Sequence, residues 1–478
     1  MDVGFNKMDF AFTFNDVILL PGKTEVEPSN IDLTTRIGSI VLTTPILSSP
    51  MDTVTEEEMA IAMARMGGLG VIHRNCTVEE QVKMVKTVKR VESFIIRDVI
   101  TVSPEDSVEE ARRLMREYGI SGLPVVVSRR LVGIVTRRDI YFAENSNLSV
   151  KEVMTKDPIT VGPEITPQEA RKIMARYKIE KLPVINEFGE LVGLITAKDV
   201  FHRELHPFAA RDSEGRLRVG AAVSPFDINR AVALAPYVDV LVIDVAHFHN
   251  ENVINATKKL IAEVNIPVIA GNIGTYEAAE EAICRLDIIG LRVGIGSGSI
   301  CTTGEVTGVA APTLYAVAKT YEAIKKYSSK VAIIADGGIR GPGEAAKAFA
   351  MGADAVMLGY ALAGTKETPG STMMIGGKIY KIYRGMGSPS ARLKRFTLDR
   401  YSKPSKDIAE GIESLVPYRG DVTTILDRFI AGLKTAFGYV GAANIAEMKL
   451  KARVALISHA GMNEIAPHDV KPFEKPYE

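Results

Sequence analysis

The chain has 478 residues, which exceeds the length of one ordinary domain and predicts two or three folded units. Lysine and arginine total 58, as do aspartate and glutamate, so the net charge of +0 argues against nucleic acid or an anionic membrane surface as a partner. The three cysteines, Cys76, Cys284 and Cys301, lack the spacing of a metal site or of a disulfide framework, and no signal peptide or long apolar span is apparent, so we expect a cytoplasmic protein.

The first predicted elements are two short apolar runs, at residues 45–49 and 69–73, and a segment with helical spacing at residues 78–91. Each run ends in polar residues, with Ser49 closing the first and His73 the second. This alternation predicts strands that are separated by helices.

An internal repeat follows the helix. Residues 98–139 and 157–199 share one order of apolar and polar residues, and each copy ends in Thr-x-x-Asp. Each copy predicts a helix, a Leu-Pro-Val strand, a hairpin and a second strand. The repeat resembles a tandem pair of CBS domains, with boundaries that we place at residues 94–148 and 149–205.

The resemblance to CBS domains implies a purine nucleotide in the cleft between the two copies. The residues in contact with it would be those of the two Thr-x-x-Asp motifs: Thr136, Asp139, Thr196 and Asp199. Alternatively, Asp139 and Asp199 only cap the helices that follow them, because aspartate is common at helix starts.

Residues 206–478 contain six further apolar runs, separated by helical patterns. They lie at 220–223, 240–244, 267–272, 290–293, 331–336 and 354–359. With the two runs in residues 1–93 the count reaches eight, which predicts a (β/α)8 TIM barrel with the CBS pair inserted after its second helix. Chemistry in such barrels lies on the loops after the carboxyl ends of the strands.

The loop after the sixth run, residues 294–305, carries three glycines and Cys301. Gly294, Gly296 and Gly298 allow main-chain groups to approach a ligand or an ion, although a tight turn would need the same residues. A lone cysteine is usually a small buried apolar residue. Its position in a strand-end loop instead favours an exposed nucleophile.

The loops after the seventh and eighth runs, at residues 335–340 and 357–365, are also rich in glycine. Glycine lets several amide N–H groups converge on a dianion, and this pair of neighbouring loops is a frequent phosphate site in barrels. A purely structural turn is the alternative. The two loops together favour a phosphorylated substrate.

Seven segments in combination resemble the IMP dehydrogenase family: SSPMDTVTE, IHRNC, AGN, RVGIGSGSICTT, ADGGIR, YRGMGS and PHDV. The resemblance covers nearly the whole chain. It implies that Cys301 attacks C2 of IMP, that NAD accepts a hydride, and that the covalent intermediate is then hydrolysed to XMP.

The resemblance also implies the residues that bind the substrate and NAD. The residues that would contact IMP are Ser49, Met51, Ser299, Asp336, Gly338, Gly359, Tyr360, Tyr383, Gly385, Met386, Gly387 and Glu410. The residues that would contact the dinucleotide are Asp244, Asn272, Gly294 and Gly296.

A potassium ion and a homotetramer are implied as well, because the family holds the ion between the cysteine loop and the C-terminus of a neighbouring subunit. Carbonyl oxygens can replace the hydration shell of potassium. The matching residues are Gly296, Gly298 and Cys301 in the loop, with Glu464, Ile465 and Ala466 for the neighbour. Without the resemblance, Glu464 would be interpreted as a solvated carboxylate.

Residues 389–417 are polar and too long for an ordinary connection, which predicts a mobile flap. In the family, a flap Arg-Tyr pair activates water, and Arg400 and Tyr401 match it. Thr303 and Glu410 are possible partners in proton removal. By composition alone, an exposed Arg-Tyr pair would be ordinary surface.

The chain departs from the family pattern at several positions: Phe248, Ala310, Ala311, Thr313, Tyr360 and Arg392. Tyr360 replaces a serine that contacts the phosphate, and Phe248 replaces a glycine beside the dinucleotide. Two other functions therefore remain open. One is a GMP reductase, which deaminates GMP with NADPH, and the other is an inactive nucleotide sensor.

Overall fold

A computed structural model describes residues 9–92, 94–97, 99–141, 148–394 and 408–470. Within them the chain forms two compact units. The first comprises the residues up to Lys89, then Phe208–Asp212 and the residues from Leu217 onward, and the second comprises Arg90–Pro207 and Ser213–Arg216. In this described part, no helix is both long and apolar enough to cross a membrane.

Elements are labelled in chain order. The chain begins with β1 (Val17–Leu20), β2 (Thr35–Ile37), β3 (Ile40–Leu42), β4 (Ile46–Ser48), α1 (Glu57–Arg65), β5 (Leu69–Ile72) and α2 (Val78–Arg90). The second unit contains α3 (Val108–Glu117), β6 (Gly122–Val127), β7 (Arg130–Thr136), α4 (Arg137–Tyr141), α5 (Val150–Val153), β8 (Thr155–Lys156), α6 (Pro167–Tyr177), β9 (Lys181–Ile185), β10 (Leu191–Thr196) and α7 (Ala197–Leu205).

The first unit resumes after the second. Its barrel elements are β11 (Val219–Val223), α8 (Ile228–Leu234), β12 (Val240–Ile243), α9 (Glu251–Glu263), β13 (Val268–Ile273), α10 (Tyr276–Arg285), β14 (Gly290–Val293), α11 (Thr303–Thr307), α12 (Thr313–Lys326), β15 (Ala332–Asp336), α13 (Pro342–Ala350) and β16 (Ala355–Leu358). The elements after the barrel are β17 (Met373–Ile375), β18 (Lys378–Arg384), α14 (Pro389–Leu393), β19 (Glu413–Pro417), α15 (Val422–Val440), α16 (Ile445–Lys451), β20 (Arg453–Leu456) and α17 (His459–Glu464).

Eight parallel strands close the barrel in the order β11-β12-β13-β14-β15-β16-β4-β5, which confirms the predicted fold class and all eight predicted strands. In the sequence, these strands are continuous apolar runs because both of their faces are buried in the structure. Their inner residues form one core with members such as Leu47, Leu69, Val240, Ile269 and Ile334.

The helices cover the outside of the barrel. Gly70 of β5 shows how closely they pack, since a Cβ atom there would lie only 2.4 Å from Cα of Ala60 on α1. A side chain at this position would push the helix away from the strand. Glycine is therefore required in β5 by packing rather than by a turn.

The second unit holds two small cores, one for each copy of the repeat. The first surrounds Val108, Leu123 and Val135, and the second surrounds Ala170 and Leu182. Each copy has an antiparallel hairpin, β6–β7 or β9–β10, with a helix before it and a helix after it. The assignment of these copies to CBS domains at residues 94–148 and 149–205 stays a prediction.

A three-stranded antiparallel sheet, β17–β18–β19, follows the barrel. The strand β19 of this sheet and the helix α14 occupy the described ends of the segment that the sequence assigned to a flap. Regular structure thus extends further into residues 389–417 than the polar composition predicts.

Lys381 ties this sheet to the loop that follows β16. Its buried ammonium donates hydrogen bonds to the carbonyl oxygens of Thr365, Lys366 and Thr368 at 3.0, 3.1 and 2.5 Å. Burial lowers the pKa of Lys381, and the nearby carboxylates of Glu367 and Glu58 oppose that change. The cation is thus held mainly by carbonyl dipoles.

We expect Lys381→Met to lower the free energy of unfolding of the first unit by roughly 1–3 kcal/mol, because it leaves buried carbonyl groups without a donor. Lys378→Met on the same strand is the control, since Lys378 is exposed. Calorimetry of both variants measures the difference. Equal stability of the two variants would contradict the role of the carbonyl cage.

Candidate active site

A pocket opens at the carboxyl ends of the barrel strands. It is lined by residues of the cysteine loop, of the glycine-rich loop after β15 and of the segment after β18. The predicted site residues in its wall are Ser49, Met51, Asp244, Asn272, Gly294, Gly296, Gly298, Cys301, Thr303, Asp336, Tyr383, Gly385, Met386, Gly387 and Glu410.

The cysteine loop is held in place by backbone hydrogen bonds at both of its ends. Ile295 and Ala311 exchange two of them, at 3.0 and 2.9 Å. At the other end, the amide of Ile412 donates to the carbonyl of Ile300 at 3.1 Å. Gly294 has a φ of +127°, and a Cβ atom there would lie 2.3 Å from the carbonyl oxygen of Asp336. Only glycine lets the two loops approach so closely.

Cys301, Thr303 and Glu410 form a polar chain. The Sγ atom of Cys301 lies 3.2 Å from Oγ1 of Thr303, and that hydroxyl donates to Oε2 of Glu410 at 3.1 Å. Glu410 is buried, whereas Cys301 is partly exposed to the pocket. A nucleophile, a hydroxyl and a carboxylate in this order can pass a proton away from the reacting atom.

Arg292 of β14 is a pocket residue that the sequence analysis missed. Its Nη2 atom donates to Oδ2 of Asp336 at 2.8 Å, and its Nη1 atom donates to Oδ1 of Asp244 at 3.3 Å. Burial disfavours the charged guanidinium, but the two carboxylates outweigh it and raise the pKa of Arg292. The only signal in the sequence was an arginine within an apolar strand.

Asn272 joins the same network from β13. Its side-chain amide donates to Oδ2 of Asp336 at 2.9 Å and to the carbonyl oxygen of Gly294 at 3.0 Å. Asp336 therefore has one carboxylate oxygen fixed by two donors. The orientation of this carboxylate is set before any ligand binds.

Tyr383 and Gly359 lie together at the side of the pocket next to β16. A Cβ atom on Gly359 would lie 3.2 Å from the hydroxyl of Tyr383. Burial, and then the negative charge of Asp336, raise the pKa of Tyr383. The phenol therefore stays protonated at neutral pH and can donate a hydrogen bond to an anion.

Tyr360 is placed beside this group, with its ring centroid 6.1 Å from that of Tyr383. The guanidinium of Arg419 lies 4.6 Å from the centroid of the Tyr360 ring and donates to the carbonyl oxygens of Tyr360 and Ala361 at 2.9 and 3.3 Å. Arg419 is a second cation that the sequence analysis missed. It fixes the backbone at the position where the family pattern has serine.

Arg384 connects the loop after β4 with the segment after β18. Its guanidinium donates to both carboxylate oxygens of Asp52, at 3.0 and 2.6 Å, and Asn75 donates to Oδ2 of Asp52 at 2.6 Å. Burial alone would raise the pKa of Asp52, but these hydrogen bonds and the charge of Arg384 lower it. The ionised pair holds Met51 and Met386 in the pocket wall.

Several predicted site residues lie outside the pocket wall. Ser299 is exposed on the cysteine loop, and Gly338, Gly359 and Tyr360 are partly buried but are not among the lining residues. Glu464, Ile465 and Ala466 are exposed at the end of α17. Arg400 and Tyr401 lie outside the described residues.

The Thr-x-x-Asp motifs of the second unit form local caps. In the first copy, the hydroxyl of Thr136 donates to Oδ2 of Asp139 at 2.7 Å. In the second copy, Thr196 makes the same bond to Asp199 and accepts a hydrogen bond from the Asp199 amide at 3.3 Å. Thr196, rather than Asp199, is the N-cap of α7, and Asp199 lies in the first turn of the helix. A local role at the helix start thus accounts for these side chains, and nucleotide binding stays a prediction.

The closed parallel barrel and its strand-end pocket define a β/α-barrel enzyme with a cysteine in the pocket wall. A family model described as IMP dehydrogenase / GMP reductase domain matches residues 11–468. The chain therefore belongs to the IMP dehydrogenase / GMP reductase family.

Curated relatives and solved structures agree with this family. An inosine-5'-monophosphate dehydrogenase of Korarchaeum cryptofilum is 85% identical over 98% of this chain and 99% of the relative. One of Thermoplasma acidophilum is 51% identical over 99% of this chain and 97% of the relative. The crystal structure of a GMP reductase variant from Trypanosoma brucei in complex with guanosine 5'-monophosphate matches with a TM-score of 0.88 and 36% identity, over 98% of this chain and 99% of that one.

The three cysteines should differ in their reactivity. Burial raises the pKa of Cys76 to about 11, so that at pH 8 only about one molecule in a thousand carries the thiolate that reacts. We expect iodoacetamide to label Cys301 and Cys284 and to leave Cys76 unmodified in the folded protein. Peptide mass spectrometry checks this pattern, and labelling of Cys76 before Cys301 would contradict it.

Proposed function

We infer that the chain oxidises IMP to XMP in guanine nucleotide biosynthesis. The observation that carries this inference is the chain Cys301–Thr303–Glu410 in the wall of a barrel pocket, in a sequence 85% identical to a curated inosine-5'-monophosphate dehydrogenase. Proton transfer along this chain would leave a thiolate facing the pocket.

In the proposed first step, the thiolate of Cys301 bonds to C2 of IMP while Asp336 holds the ribose hydroxyls. NAD, when bound, accepts the hydride that leaves C2. Asp244 and Asn272, which line the same pocket as Cys301, would border the nicotinamide, and Gly294 and Gly296 would let it approach the loop.

In the second step, water attacks C2 and the bond to Sγ breaks, which releases XMP and the free thiol. As the water attacks, a protein group has to take one of its protons, which then goes to the departing Sγ atom, while the other proton stays with XMP. Thr303 and Glu410 offer one route, since their side chains are already hydrogen-bonded. Arg400 and Tyr401 offer the other. Arg392 and Ile408, which precede and follow this pair in the sequence, both line the pocket.

For the phosphate we propose the glycine-rich loops, with Ser299, Gly338, Gly359 and Tyr383 as donors. Tyr383 supplies a protonated phenol, and the backbone next to Gly359 is fixed by Arg419. Tyr360 stands where the family has serine. The base would lie against Met51 and the segment that carries Gly385, Met386 and Gly387.

A potassium site at the cysteine loop and a homotetramer are part of the same proposal. Gly296, at a φ of +77°, and Gly298 have no side chains to block their carbonyl oxygens, which suits a cation ligated by the main chain. Glu464, Ile465 and Ala466 lie exposed at the end of α17 and are thus accessible to a neighbouring subunit. For the second unit, we propose a purine nucleotide that regulates the barrel.

GMP reduction is the second candidate, because solved GMP reductases share this fold at 36% identity. The two activities share the cysteine and the nucleotide pocket, but only the dehydrogenase hydrolyses its intermediate. The Arg400-Tyr401 pair therefore favours the dehydrogenase. An inactive sensor is disfavoured by the intact chain of Cys301, Thr303 and Glu410.

The direct test measures NADH formation from IMP beside NADPH consumption with GMP. We expect turnover only with IMP and NAD. Cys301→Ala should abolish this activity and the purine adduct seen by mass spectrometry during turnover, whereas Cys76→Ala should retain both. NADPH oxidation with GMP, together with no reaction with IMP, would show that the protein is a GMP reductase and not an IMP dehydrogenase.

Arg400→Ala separates the two steps of the proposed reaction. We expect a rapid burst of about one NADH per site followed by slow turnover, because the covalent intermediate forms but water is not activated. Stopped-flow absorbance measures both phases, and higher pH should partly restore the slow one. Equal loss of burst and steady rate would assign Arg400 to substrate binding instead.

A further inference from the structure

Outside the pocket, the described residues contain one group of three side chains with metal-ligand chemistry: Glu92, His202 and His206. One ligand atom from each lies within 4.8 Å of the others. All three belong to the second unit, and none takes part in the proposed reaction. Two imidazoles and a carboxylate form a set that suits zinc and related transition metals.

The two histidines come from one face of α7. They are four residues apart, which places them one helical turn from each other, and their rings are nearly parallel at 8° with centroids 6.4 Å apart. His206 is the C-cap of the helix. The carbonyl end of the helix dipole favours a positive charge there.

His202 offers a nitrogen with no competing hydrogen bond. Its Nδ1 atom is buried and has no hydrogen-bond partner in the described part of the chain. The closest carboxylate oxygen, Oε1 of Glu92, is 3.7 Å away, which is too long for a hydrogen bond. A metal ion about 2.1 Å from each atom would fit between them after a small movement of the side chains.

Glu92 is unusual both in its burial and in its backbone conformation. It is only 2% exposed, and it has a φ of +59°, which L residues seldom adopt outside turns. One of its carboxylate oxygens lies 3.7 Å from Nδ1 of His202, and the group that the two residues form with His206 is compact. The carboxylate is therefore placed to act as a third ligand beside the two imidazoles.

We propose that Glu92, His202 and His206 form a site for a divalent transition metal, with zinc as the reference ion and water as the fourth ligand. The site joins the first residues of the second unit, near Arg90, to the last residues of its main segment, near Pro207. A metal bound there clamps the two ends of the insertion, because it holds together chain segments that are distant in sequence.

The test uses tag-free full-length protein with Cys301→Ser, so that this thiolate cannot compete for the metal, after dialysis against a chelator. Titration calorimetry with zinc chloride should show one site per chain. His202→Asn and His206→Ala should each weaken its affinity on the order of 100-fold or more, since removal of a direct ligand exceeds the loss from outer-shell changes. Glu92→Gln keeps the shape and should also weaken binding.

His249→Asn is the matched control, because His249 pairs with Glu281 at 2.8 Å but belongs to no three-residue ligand group in the described part of the chain. It should retain the affinity of the parent protein. Zinc should also raise the melting temperature of the parent and of the control, but not that of the His202 and His206 variants. Absence of zinc binding at micromolar concentration, or equal binding by all variants, would overturn the proposal.

Discussion

The buried guanidinium of Arg292 fixes the geometry on which the pocket depends. It lies on β14 and bridges the carboxylates of Asp336 on the neighbouring strand and Asp244 two strands away. Loss of one partner of a buried ion pair typically costs about 3–5 kcal/mol, because a charge is left without compensation. The two acidic strand ends cannot move apart independently, so both sides of the pocket are positioned by one residue.

The barrel itself was predictable because parallel strands buried on both faces leave a strong signal in the sequence. Runs such as 240–244 and 331–336 are apolar throughout and end in aspartate, which gives both the strand and the side of the pocket. The position of Cys301 in the pocket wall was predictable for the same reason. The position of a residue relative to the end of a strand depends only on neighbouring residues in the sequence, so it can be predicted without knowledge of distant contacts.

Arg292 and Arg419 were missed because their roles depend on distant partners. No local pattern indicates that a guanidinium at position 292 meets Asp244, since closure of the barrel creates that contact. Arg419 likewise meets the backbone of Tyr360 only after the chain has passed through the β17–β18–β19 sheet. In the second unit, the sequence could not separate a cap from a ligand contact, since threonine and aspartate serve both purposes.

The replacement of serine by Tyr360 is compatible with the proposed phosphate site because of how the surrounding charges are arranged. A serine hydroxyl contributes one hydrogen bond, whereas amide groups of glycine-rich loops contribute several from a rigid backbone. Arg419 anchors the carbonyl oxygens of Tyr360 and Ala361, and so orients the loop while adding a positive charge. Tyr383 remains protonated because it is buried and close to Asp336. In the proposed phosphate site, the serine hydroxyl would thus be one donor among several, and the tyrosine leaves the other proposed donors in place.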